Sequence, residues 1–228
     1  MGKIFALLAA LAGVYLLLLA KPELYFSKAI NYRNFTVRAR GEAPASVEAS
    51  LDAAADKLAA SELYRENDTF EIVAAGSAAE FKFFTPFIGG EYSRVNPFSG
   101  AIFLASADFA KGEARREPGA QEFRKLSSEI AAAAARDQAR RLFRPLSYLF
   151  RSDWEIRGYA ARVSGAGGDF SPSDACGAVS DPGLEDYKCG LMLDTVMKED
   201  NVTFKDLLER NMSYEKAEER FKKTYCGG

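Results

Sequence analysis

The chain contains no histidine. Imidazole is the commonest zinc ligand and the usual acid/base group near neutral pH, so several reaction classes go at once. Nucleophile activation by a Ser-His-Asp or Cys-His arrangement is excluded, as is any zinc site with a histidine ligand. Only three cysteines occur, Cys176, Cys189 and Cys226, too few for a site of four thiolates. Long Lys/Arg blocks are lacking and the formal net charge is −2, so nothing favours nucleic acid as a partner. Calcium loops of EF-hand spacing are missing, and the glycines near residue 167 lack the Lys-Ser/Thr of a phosphate loop. Most of the 32 acidic residues fall on predicted solvated helix faces, for example Glu215, Glu218 and Glu219, so no carboxylate pair is singled out for glycosidase-type chemistry. No cofactor is expected.

What is present begins with an uncharged apolar run, Ile4 to Ala20, between Lys3 and Lys21-Pro22. At 1.5 Å per residue it spans about 26 Å, the short end of a bilayer crossing. A cleaved signal peptide competes with a retained signal anchor. Leucines stand where small residues should precede a cut after Ala20, and Pro22 follows closely, which favours the anchor. Flanking positive charge is indecisive, Lys3 on one side against Lys21, Lys28 and Arg33 on the other. A short tail before a large domain favours a single-pass topology with the body outside the cytoplasm, the periplasm in a bacterium. There Cys176 and Cys189 could pair, leaving Cys226 free; three unpaired thiols is the alternative. Four Asn-x-Ser/Thr triplets begin at Asn34, Asn67, Asn201 and Asn211 and bear on function only in a glycosylating secretory pathway.

Composition, 48% hydrophobic and 27% charged, suits one globular domain plus this appendage. The expected order is a tail (1–3), the anchor (4–20), an aromatic juxtamembrane connector (21–32) and a single globular domain (33–228). "NFTVRA" alternates like a short strand. Val47, Leu51, Ala54 and Leu58 recur at helical spacing after Pro44. "TFEIVAAG" and "GAIFLAS" read as strands, with "AEFKFFTPF" between them as aromatic core or a short element and Gly89-Gly90 as a turn. A charged loop over 108–119 leads into a long helix that should end before Pro145. A shorter helix follows over 153–165. Beyond an irregular loop come helices near 184–199, 203–210, where Thr203 and Asp206 fit a capping box, and 213–225. The class predicted is α+β: N-terminal helices and a small mixed or antiparallel sheet, then a mostly helical C-terminal half.

Two of these helices carry a motif. "LSSEIAAAAARDQARRLF" and "DWEIRGYAARVSG" together resemble the core of the gluzincin metallopeptidases. In that family a helix of pattern Ile-Ala-His-Glu-x-x-His carries two zinc ligands and a catalytic glutamate, and a second, Trp-x-x-Glu-Gly-Tyr-Ala, supplies the third ligand. Donors at i and i+4 lie on one helical face and chelate the metal, while the intervening Glu takes a proton from metal-bound water. The frame survives here in Ile130-Ala131 and in Trp154, Gly158, Tyr159 and Ala160, and Arg140-Arg141 also fits. The reactive positions do not. Ala132 stands for the first His, Ala133 for the base, Arg136 for the second His and Arg157 for the ligand Glu. A second register, with Glu129 as the old glutamate, loses the ligands too. The likeness extends weakly over most of residues 33–210, through "SELY", "IFLASAD" and "YKCGLMLDTVMKEDNVTFKDLLE", and implies a zincin-like fold.

Ala-rich and Trp-containing amphipathic helices also arise without such ancestry. Arg136 and Arg157, permanently protonated, would repel Zn²⁺ from the former cleft. They would either hold an anion or pair with acids such as Asp137, Glu129 or Glu155. Glu129, Asp137, Trp154 and Tyr159 are the expected cleft residues, and no residue is expected to ligate metal or catalyse. The resemblance implies a membrane-anchored pseudoenzyme that binds a protein or peptide, "GAIFLAS" being the candidate edge strand for main-chain pairing. A hydrolase using acids, Ser or Tyr, and a structural accessory domain of an envelope assembly, are the alternatives.

Overall fold

The apolar run forms one helix, α1 (Gly2–Ala20). The computed structural model describes residues 2–42, 44, 46–86, 92–143, 153–166 and 170–227; the turn expected at Gly89-Gly90 and the stop at Pro145 lie outside the described residues. Within α1, Lys3–Ala20 is long and apolar enough to cross a membrane, as an anchor or a signal sequence would be. The described residues are α+β, with eight α-helices and two small sheets. They divide into two compact units, Met1–Asp52 with Glu66–Glu129, and Ala53–Arg65 with Ile130–Gly228. The division falls inside α2 (Glu48–Ala59) and α4 (Leu126–Arg140).

In the first unit β2 (Phe35–Ala39), β3 (Phe70–Ala74) and β5 (Ile102–Leu104) run parallel. Strands β1 (Lys28–Tyr32) and β4 (Ser93–Val95) flank them antiparallel, in the order β1-β2-β3-β5-β4. The stretch expected to be a membrane-surface connector therefore contributes a strand. A two-residue turn with Arg33 at φ 50° folds β1 back along β2. "GAIFLAS" is not an edge strand. Its β5 core is buried throughout and paired on both sides, as an unbroken apolar run requires. The segment after Gly76 forms α3 (Ala78–Phe84), capped by Ser77, whose hydroxyl accepts from the Glu80 N–H. The loop expected at 108–119 holds the middle strand of a second antiparallel sheet, β6 (Ser106–Asp108), β7 (Glu113–Arg115) and β8 (Arg124–Lys125).

The end of α1 is built into this unit. Leu19 is buried in a cluster with Phe26, Phe81, Phe84 and Phe103. Buried Asn96 donates to the carbonyls of Leu19 (3.1 Å) and Phe84 (3.2 Å), and accepts from the amides of Phe98 and Ser99. One side chain thus ties the helix end to α3 and to the turn that follows β4.

The second unit gathers α5 (Asp153–Ser164), α6 (Pro182–Asp200), α7 (Phe204–Arg210) and α8 (Tyr214–Tyr225). Local chemistry sets most boundaries. Asp181 accepts from the Gly183 and Leu184 amides with Pro182 in the first turn. Thr203 and Asp206 form the capping box foreseen from sequence. Asn201 and Asn211, which begin two of the glycosylation-type triplets, close α6 and α7 in the left-handed conformation at φ 50° and 49°. The disulfide joins Cys176 to Cys226, their Cα atoms 5.7 Å apart, while Cys189 is buried and free. The pairing expected from the short Cys176–Cys189 separation fails because Cys189 lies on the inner face of α6, in the core cluster.

Candidate functional site

Both helices expected from the sequence form, α4 and α5, and Trp154, Gly158 and Tyr159 on the second have packing roles. On α5, a Cβ at Gly158 would lie 2.4 Å from the Cys189 carbonyl oxygen of α6, so only glycine permits this approach. Tyr159 is buried, stacked on Phe204 at 4.0 Å between ring centroids. Its hydroxyl meets Ser61 Oγ at 2.5 Å and accepts from the Leu63 amide at 3.1 Å. Trp154 donates through Nε1 to the Met212 carbonyl, and neighbouring Glu155, fully buried, accepts from the Met212 amide. Trp154 and Tyr159 are thus core residues.

The positions that would hold metal and base are filled. Ala132 and Ala133 are both buried, and Ala132 packs in the same cluster as Ala135, Ala139 and Tyr159. Arg157 is fixed by α6, Nε 2.8 Å from Asp186 and a terminal nitrogen 3.1 Å from Glu185. Burial opposes its charge, but Asp186 and Glu185 outweigh that and hold the guanidinium above its ordinary pKa. Asp153, one turn earlier, is pushed up by loss of hydration and pulled down by Arg157 and then by Arg136.

The acids expected to pair with these arginines are committed elsewhere. Asp137, buried, is held by Arg140 (2.8 Å) and Arg141 (2.6 Å) from its own helix. In the first unit Glu129 accepts from Ser93 Oγ and Arg124, each at 3.0 Å, and Arg124 lies over the Tyr92 ring. The reason is geometric: residues three and four apart on α4 reach Asp137, whereas Asp186 is brought to Arg157 only by the close α5–α6 packing.

A zinc ion, which the resemblance would imply, does not fit this donor set. Two methyl groups and two guanidiniums offer no lone pair to a divalent cation. Among the described residues no group of three or more Cys, Asp or Glu is placed to hold a metal ion. Ser61, Gln138 and Tyr159 form a buried hydrogen-bonded cluster. Burial raises the Tyr159 hydroxyl above its ordinary pKa.

Two features were not foreseen. A cavity of about 430 Å³ lies beside the disulfide, lined by Cys176, Glu185, Lys188, Tyr214, Glu218 and Lys222. Its charges are internally compensated, Glu218 lying 2.5 Å from Lys188 and 3.1 Å from Lys222. The second feature is the outer edge of β1, unpaired among the described residues. Phe70 N–H donates to the Asn34 carbonyl, so Asn34, Thr36 and Arg38 turn toward β3, and Phe35, Val37 and Ala39 toward β1. By alternation Ala29 and Asn31 direct their main-chain N–H and C=O outward. Both are exposed, whereas Ser93 and Val95 on the opposite edge strand are buried.

No family model, curated protein or solved structure matches the chain.

Proposed function

We propose that the chain is a membrane-anchored, non-catalytic domain on a peptidase-like scaffold that binds an extended protein or peptide segment outside the cytoplasm. The observation that carries this reading is the fate of the motif positions. Its helices and packing letters remain, while Ala132 and Ala133 are buried methyl groups and Arg157 is neutralised by Asp186 and Glu185. A retained anchor is supported by Leu19 and its carbonyl, which a cut after Ala20 would remove from the core and from Asn96. A disulfide between Cys176 and Cys226 suits an oxidising compartment. The docking strand in this reading is β1, whose exposed outward amides and carbonyls at Ala29 and Asn31 suit pairing with an added strand.

A photo-crosslinking side chain at Ala29, the neighbouring outward position on β1, in the membrane-bound protein tests it. Capture of a defined partner, abolished by Asn31→Pro, is expected, because proline removes an outward N–H without breaking the β1–β2 ladder. Labelling of lipid alone, or capture that Asn31→Pro leaves intact, would overturn it.

A further inference from the structure

The end of α1 does more than tether. Tyr15 lies about 7.5 Å before the helix end at 1.5 Å per residue, yet its hydroxyl donates to the Phe83 carbonyl at 2.9 Å and its ring meets the Phe83 ring at 4.9 Å. Helix α3 therefore sits beside the last turns of the apolar helix, not above them. Phe83 is 47% exposed there. Asn96 brings the next turn to the same place, and that turn carries Phe98, 49% exposed. Leu24, in the short helix just after the anchor, is 61% exposed. Between Phe81 and Phe83, Lys82 is exposed as well.

Span length gives these side chains a reason. An apolar run of about 26 Å is shorter than a hydrocarbon core of about 30 Å, and the inner side of its last turn faces protein through Leu19. A short span is accommodated by drawing its flanks into the interface, where aromatic rings and lysines partition favourably. We infer that Leu24, Phe83 and Phe98 form an interfacial foot by which the first unit rests in the headgroup region of the same bilayer that α1 spans. The lipid surface is the occupant because the patch is continuous with the spanning helix and shares its Tyr15 contact. This inference rests on the anchored reading. It adds that the first unit is held against the membrane in one orientation, with β1, which begins at Lys28, near its surface.

The test uses the full chain in vesicles of phosphatidylcholine and phosphatidylglycerol, with Phe83→Trp and Phe98→Trp made separately. Native Trp154, buried in the second unit, provides the baseline emission. With lipids brominated on the upper acyl chain, each added tryptophan should lose most of its emission while the baseline stays. Unquenched emission from either variant, in protein that alkaline carbonate does not extract, overturns the foot and leaves the anchor standing. Extraction by carbonate overturns both.

Discussion

Replacing Gly158 by alanine sets two effects of opposite sign against each other. In a helix interior alanine is favoured over glycine by about 1 kcal/mol. Here the new Cβ would stand 2.4 Å from the Cys189 carbonyl oxygen and 2.8 Å from its carbon. Those are backbone atoms, so α5 and α6 must separate by roughly 1 Å, an overpacking that costs about 3 kcal/mol, the upper end of the usual range. The net expectation is a loss of about 2 kcal/mol. Gly190→Ala is the control, because its Cβ would find Ala161 and the Gly158 carbonyl at 3.7 Å, ordinary contact. There propensity should win, and the variant should match or exceed the wild type. The single tryptophan, Trp154, lies on α5 itself, so its fluorescence in a urea titration reads the affected unit. A Gly158→Ala variant as stable as Gly190→Ala would refute the close approach and with it the packing explanation of the motif glycine.

Cys226→Ser should lower the urea midpoint strongly: a bridge closing 50 residues stabilises by about 4 kcal/mol in the chain-entropy model, and reductant should reproduce the loss in the wild type only. Burial pushes the Cys189 thiol up to about 12, so iodoacetamide at about pH 8 should modify it only after unfolding; stoichiometric labelling of the native protein would contradict its placement. Hydrogen bonding from Lys188 holds the Glu218 carboxyl below its ordinary 4.5. Its stabilisation is complete above that value and is lost as pH falls through the lower folded one. The stability gap between wild type and Glu218→Gln should therefore close in acid, and a gap that widens there would reverse the assigned sign.

Elements with local signals were the legible ones. Helix α7 announces itself through Thr203 with Asp206, and the structure shows comparable local signals at α6 in Asp181-Pro182. Strands β6 to β8 were missed because Ser-Ala-Asp, Glu-Ala-Arg and Arg-Lys are short and carry no apolar alternation. Strand β1 was read as connector because its mostly exposed residues resemble a polar linker until β2 pairs with them. For "GAIFLAS" the missed signal was present: an apolar run without alternation is buried on both faces and belongs inside a sheet. At the motif, the hold of Arg140 and Arg141 on Asp137 followed from helical spacing. The partners of Arg157 did not, since Asp186 and Glu185 reach it only through the Gly158 contact, and spacing alone cannot choose among three cysteines.

In the proposed reading, Ala132, Ala133, Arg136 and Arg157 leave the helix pair with no donors for a divalent cation. Zinc per chain, measured on the full-length protein purified in detergent after exposure to zinc and gel filtration, tests it most directly. The account predicts no stoichiometric zinc; one tightly held ion per chain, removed by a chelator together with a peptidase activity, would contradict it.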